Sequence, residues 1–132
     1  MERTLLIIKP DATERNLIGY IISRLEKVGF TIVELKMVKL SKEDAGKFYF
    51  VHRERAFYDA LTDYMSSGRI VPMVLEKDNA IVDLRTFIGA TDPAEADCGT
   101  LRDEIGIDKQ RNSVHASDSK ESTAVEIPFF FA

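Results

Sequence analysis

Two imidazoles, His52 and His115, are available for chemistry, and they keep different company. His115 stands in Asn112-Ser113-Val114-His115-Ala116-Ser117-Asp118-Ser119, where small side chains leave its ring open to a ligand. Glu126 follows eleven residues later, past a short helical pattern, and can return beside the ring. A neutral imidazole held by a carboxylate can serve as nucleophile or general base. From spacing alone, His115 can equally be an ordinary accessible histidine. His52, in Phe50-Val51-His52-Arg53-Glu54-Arg55, is flanked by charges and reads as exposed or hydrogen-bonded. Taken singly, Lys9, Arg85 and Arg102 read as surface charges, Phe57 with Leu61 as a helical core pair, and Thr91-Asp92-Pro93 as a turn.

Missing motifs narrow the chemistry further. The chain holds no Gly-x-x-x-x-Gly-Lys-Ser/Thr loop, no Gly-x-Gly-x-x-Gly, no Cys/His spacing for zinc and no protein-kinase signature set. Any phosphate bound here is therefore bound by side chains, not by a glycine nest.

The elements that must position these residues follow from periodicity. Residues 4–8 are apolar and partly β-branched and read as a buried strand ending at Lys9 and Pro10. Asp11 or Thr13 can cap the next helix, whose apolar face is Leu17, Ile18, Ile21, Ile22 and Leu25 and which Gly29 closes. Residues 31–40 alternate with period two, a second strand. Ser41 opens a helix carrying Ala45, Phe48 and Tyr49, and another spans residues 54–65. Residues 70–75 form a third strand, at an edge or bulged because of Pro72. A helix over 80–88 ends at Gly89, and residues 90–112 form a long loop. A last helix over 117–126 starts from an Asp118 cap, and residues 127–131 make a fourth strand. The expected fold is α+β, a ferredoxin-like four-stranded antiparallel sheet with helices packed on one face.

Composition bounds the rest. The 132 residues suffice for one domain, read as 1–132, and 45% hydrophobic with 30% charged residues excludes disorder. A net charge of −4 argues against nucleic-acid backbone as a partner, because counterion release needs a basic face. The apolar run at the N-terminus is far too short to span a membrane. The single cysteine, Cys98, makes no intrachain disulfide, and the expected compartment is the cytoplasm, with no leader removed.

Asn112 to Ser119 closely resembles the active-site signature of nucleoside diphosphate kinases, usually written Asn-x-x-His-Gly-Ser-Asp-Ser. Thr4-Leu5-Leu6-Ile7-Ile8-Lys9-Pro10-Asp11-Ala12 resembles that family's opening strand and lysine. Arg55-Ala56-Phe57-Tyr58 and Tyr64-Met65-Ser66-Ser67-Gly68 are similar to further family motifs, as are Arg85, Gly89 to Pro93 and Gly99 to Arg102. Glu126-Ile127 and the final phenylalanines complete a resemblance that covers essentially the whole chain.

The resemblance implies ping-pong transfer of a γ-phosphoryl group from a nucleoside triphosphate to a diphosphate through a phosphohistidine on His115. It further implies that Ser117 and Glu126 orient the ring, Lys9 contacts the phosphoryl and ribose region, and Tyr49 frames the site. Phe57, with Leu61, would stack on the base; Arg85, Thr91 and Arg102 would hold phosphates, and Asn112 the ribose. Planar arginines suit phosphate, and an aromatic platform tolerates any base. Mg²⁺ would ride on the phosphates and needs few protein ligands. A homo-oligomer, a tetramer or hexamer built from dimers, is implied as well. Departures from the family pattern are Ala56, Arg69 and Cys98 at proline positions and Asp103 and Ala116 at glycine positions.

Overall fold

Leu5, Leu6, Ile7 and Ile8 are all wholly buried, and a strand buried at consecutive residues must be covered on both faces. That strand, β1 (Glu2–Ile8), is central in the computed structural model, which describes residues 1–131. It pairs antiparallel with β3 (Val71–Lys77) on one side and β4 (Val114–Ala116) on the other. With β2 (Thr31–Leu35) outside β3, the sheet order is β2-β3-β1-β4, the antiparallel ferredoxin-like α+β arrangement expected.

Leu6 and Ile8 pack with α1 (Pro10–Glu14), α2 (Ile18–Lys27), α5 (Ala80–Ile88) and α6 (Leu101–Ile105). Leu5 and Ile7 pack with α3 (Lys42–Phe48), α4 (Tyr58–Met65) and α7 (Lys120–Phe130). The helices thus cover both faces where one was expected, as the unbroken apolar run of β1 requires. Each buried Leu or Ile contributes roughly 2 kcal/mol, so β1 anchors both layers.

Other differences bear on the site. Residues 127–131 are not a strand: α7 runs on to Phe130, with Ile127 and Phe130, at helical spacing, packed on the face of Leu5 and Ile7. The fourth strand is instead the short β4, inside the His115 segment. Ser119, not Asp118, caps α7, its hydroxyl accepting the Ser122 amide at 3.1 Å. The first helix splits into α1 and α2 at Asn16, whose φ is 60°. β3 is interior, not an edge. Pro72 is in register with Ile7 and its carbonyl accepts the Lys36 amide at 3.2 Å just past the end of β2, while the register shift of β2 lies between Ile32 and Glu34, away from Pro72. Helix α4 starts at Tyr58 after a 3-10 turn at Phe50–His52, four residues later than periodicity indicates.

The expected loop of 90–112 contains α6, capped by Thr100, whose hydroxyl accepts the Asp103 amide at 3.3 Å. Gly89, at φ 89°, closes α5 against this cap, and its carbonyl accepts from Arg102 Nη1 at 3.1 Å. A Cβ on Gly89 would lie 2.5 Å from Thr100 Oγ1. Gly89→Ala therefore combines backbone strain with a displaced cap, and urea unfolding is expected to show a loss of about 2 kcal/mol. A variant as stable as the parent would contradict this picture of the α5–α6 junction.

Candidate active site

Pairing of β1 with β4 sets Ile7 opposite His115. One residue past β1, the Lys9 amide donates to the Ser113 carbonyl at 2.9 Å. The register therefore delivers Lys9 and His115 to one end of the sheet. The His115 ring meets Phe48 and Tyr49 edge-on, with centroids 5.4 and 5.8 Å away. Its Nε2 lies 2.7 Å from Glu126 Oε1, and Ser117 Oγ donates to the same oxygen at 3.0 Å. A carboxylate only accepts, so Nε2 carries the proton and Nδ1 the lone pair. Nδ1 has no hydrogen-bond partner among the described residues.

Three cations bond to the segment that carries this ring. Arg102 is buried and donates from Nη2 to the Val114 carbonyl at 2.7 Å; exposed Arg85 donates from Nη1 to the Ala116 carbonyl at 3.2 Å. The carbonyls just before and just after His115 thus each hold a guanidinium. Burial, then repulsion from Arg85, lowers the Arg102 pKa to about 10, with Tyr49 acting in the opposite sense. Arg102 Nε is buried with no hydrogen-bond partner, a donor unmet by the protein.

Lys9 is only 6% exposed. Its ammonium donates to the Gln110 carbonyl at 2.8 Å and to Asn112 Oδ1 at 2.9 Å. Burial, reinforced by Arg102, lowers its pKa to about 8 against the pull of Asp11 and Asp108. Tyr49 is buried and its phenol is held neutral, by burial first and then by Glu126.

The remaining expected residues fall into two groups. Asn112 is buried, and its amide donates to the carbonyls of Thr91 and Lys109 at 2.9 and 3.0 Å while its oxygen receives Lys9. Its visible work is to join Lys9 to the exposed Thr91 loop. Phe57 and Leu61 stand apart from His115, on the first turn of α4, where the Leu61 amide donates to the Phe57 carbonyl at 2.9 Å. Half-exposed Phe57 offers a free face and reaches the site through a row of rings. His52 lies 5.5 Å from Phe57 and 6.5 Å from Tyr49, which in turn borders His115.

Sequence reasoning therefore undervalues His52, and it also overlooks Asp11, Tyr64 and Phe48. Asp11 has the look of a helix cap, yet it is buried and bonded to Ser113 and Tyr64. The available signal is the adjacency Lys9-Pro10-Asp11 at a strand end. Two departures are accommodated by the local structure. Ala116 lies in β4, where no positive φ is needed, and Asp103 Oδ2 accepts the Gly99 amide at 3.1 Å.

An imidazole with a free nitrogen, on a segment bonded to two guanidinium groups and an ammonium group, is chemically suited to attack on phosphorus, where the protein's task is positioning and charge stabilisation. Among the described residues, no three His, Cys, Asp or Glu side chains stand together as a metal ligand set. No helix of the described chain is long and apolar enough to cross a membrane.

The family model for nucleoside diphosphate kinase matches residues 2–132. The nucleoside diphosphate kinase of Desulfatibacillum aliphaticivorans is 59% identical over 131 residues, covering 99% of this chain and 95% of that protein. That of Chlorobium luteolum is 58% identical, covering 100% of this chain and 94% of its own. Among solved structures, the Aquifex aeolicus nucleoside diphosphate kinase superposes with a TM-score of 0.97 at 48% identity, covering 99% of this chain and 95% of that one. The Halobacterium salinarum enzyme, solved in complex with CDP, gives 0.94 at 37% identity, covering 98% and 87%. With the whole fold matched and more than half the residues shared with curated relatives, the chain belongs to the nucleoside diphosphate kinase family of phosphotransferases.

Proposed function

We propose that His115 is the residue through which this chain carries out the family's ping-pong exchange, with Nδ1 as the phosphorylated atom. The observation that carries this reading is the 2.7 Å contact of Nε2 with Glu126, which leaves Nδ1 as the free nitrogen. In the first half-reaction the Nδ1 lone pair forms a bond to the γ-phosphorus, and the bond to the β-phosphate oxygen breaks. The nucleoside diphosphate leaves with that electron pair. The imidazole becomes cationic, and Glu126, already hydrogen-bonded to Nε2–H, stabilises the charge as it develops. A second diphosphate then reverses the step.

Arg102, Arg85 and Lys9 stabilise the phosphoryl oxygens, and the unmet Nε of Arg102 is one donor available for them. The Thr91 loop closes on the phosphates, and Tyr49 walls the ring. Phe57, backed by Leu61, stacks on the base without reading its edges, which accounts for broad acceptance of nucleotides. Asn112 Oδ1 keeps one lone pair for a ribose hydroxyl while holding Lys9. The family works with a divalent cation, and for this chain we assign Mg²⁺. The cationic donor set suits phosphate, so the nucleotide's own oxygens would hold the ion, which when bound neutralises their charge. The reading extends to a single domain over 1–132, the last residue lying outside those described. It also extends to a tetramer or hexamer built from dimers, and to the cytoplasm, where exposed Cys98 stays a free thiol.

Incubation with γ-labelled ATP and Mg²⁺ is expected to give an acid-labile, alkali-stable label that GDP removes and that His115→Ala lacks. Label that no diphosphate accepts would favour a phosphorelay; label retained by His115→Ala would refute the assignment.

The burial of Lys9 yields a second prediction. Lowering its pKa from 10.5 to about 8 corresponds to about 3 kcal/mol of folding free energy withheld at neutral pH. Lys9→Met is expected to be inactive yet more stable than the parent at pH 7. Between the two pKa values the unfolded parent binds the proton and the folded one does not, so parental stability rises with pH and the gap narrows. Urea unfolding as a function of pH tests this, and a variant less stable than the parent at pH 7 contradicts it.

A further inference from the structure

Asp11 makes contacts that a helix cap does not need. Its carboxylate accepts from the Ser113 amide at 3.2 Å, from Ser113 Oγ at 3.1 Å and from Arg15 Nη2 at 2.9 Å. The Tyr64 hydroxyl donates to it as well and accepts the Asp11 amide at 3.0 Å. Helix α1 is entered from Lys9, and no side chain caps it.

What these bonds restrain is the turn before β4. Ser113 has φ 77°, the left-handed region that disfavours a residue with a Cβ. The residue before it, Asn112, receives the Lys9 ammonium, and the residue after it, Val114, accepts from Arg102. His115 follows. A strained turn that joins the cations to the nucleophile is thus held by a buried carboxylate, with the Lys9 amide on the Ser113 carbonyl at 2.9 Å and Arg15 and the Ile105 carbonyl on the Ser113 hydroxyl at 3.2 and 3.3 Å, and the Tyr64 ring lies 5.6 Å from Lys9 Nζ.

We propose that Asp11 is a positioning residue for phosphoryl transfer: through Ser113 and Tyr64 it locks the 112–113 turn so that Lys9 and His115 converge on one phosphoryl group. The proposal rests on the assignment of Lys9 and His115 to the reaction. Asp11 also supplies charge. Lys9 is faced by Arg102 from α6, by Asp108 from the following loop, by Asp11 from α1 and by the Tyr64 ring from α4. Arg15 pairs with Asp11, and Arg111 with Asp108 at 2.8 Å. Asp11 and Asp108 favour the ammonium, and burial and Arg102 oppose it. Removing the Asp11 charge therefore makes Lys9 lose its proton at lower pH.

The test compares the full-length parent with Asp11→Asn and Asp11→Glu. One readout is the single-turnover rate of labelling from γ-labelled ATP as a function of pH. The other is the titration of the Lys9 ammonium by NMR, which needs no turnover. For Asp11→Asn, a rate loss on the order of 10- to 100-fold is expected, with the alkaline limb and the Lys9 titration both moved to lower pH. Asp11→Glu keeps the charge, so its limb stays while its rate falls several-fold. An unmoved Lys9 titration and parental rate in Asp11→Asn would overturn the proposal. If that variant does not fold, Asp11→Glu with parental rate overturns it and a slowed rate on an unmoved limb supports it. A parent that takes no label would refute the assignment of His115 instead, and the Lys9 titration would still judge Asp11.

Discussion

A neutral imidazole has one lone pair, and a single hydrogen bond decides which nitrogen holds it. In this chain that bond runs from His115 Nε2 to Glu126, with Ser117 fixing the same oxygen from the side. Much of the molecule serves to hold those groups in register. His115 and Glu126 lie on different elements, β4 and α7, so their meeting depends on how each docks against β1. β4 is only three residues long and draws its alignment from Leu6, Ile7 and Ile8. Helix α7 is set by Ile127 and Phe130 against the face of Leu5 and Ile7. Loss of either docking would leave an imidazole with no preferred tautomer.

The second constraint is electrostatic. Lys9 and Arg102 are cations held where water is scarce, and both have lowered pKa values, through burial first and then through repulsion from a neighbouring arginine, Arg102 for Lys9 and Arg85 for Arg102. Such a cluster is costly in an unliganded protein. On the proposed assignment a phosphate chain would supply the missing negative charge, so that stability withheld in the free state would be recovered as binding. Backbone carbonyls at Gly89, Gln110 and Val114 make the arrangement tolerable meanwhile, each accepting a charged donor without neutralising it. Asp11, placed one turn behind the cations, restrains the strained Ser113 while remaining bonded to Arg15.

Patterning is legible where burial is one-sided or continuous. β1 announces itself as an apolar run, and α5 by its apolar face and closing Gly89. The tail misleads because Ile127, Phe129, Phe130 and Phe131 have the composition of a strand. Their direction is set by α7, already begun at Lys120, and composition carries no record of that. β4 is hidden because three residues are too few for periodicity, and α6 because five residues carry almost none. Of the residues named through the resemblance, His115, Glu126, Ser117, Tyr49, Lys9, Asn112, Arg85 and Arg102 lie on or against the His115 segment while Phe57 and Leu61 stand apart, and no local pattern would have assembled them. Lys9 and Asn112 lie 103 residues apart and meet only through sheet register. His52 and Asp11 escape notice for the same reason, since a flanking sequence of charges, or a proline and an aspartate, does not reveal which ring or turn lies across the fold.

The most direct test is to phosphorylate the protein with its histidines labelled with ¹⁵N and to locate the N–P bond by NMR. Phosphorus coupled to Nδ1 of His115, with Nε2 still protonated and hydrogen-bonded, is the predicted result. Phosphorus on Nε2, or on a side chain other than His115, would contradict the claim that the Glu126 hydrogen bond selects the nucleophilic nitrogen.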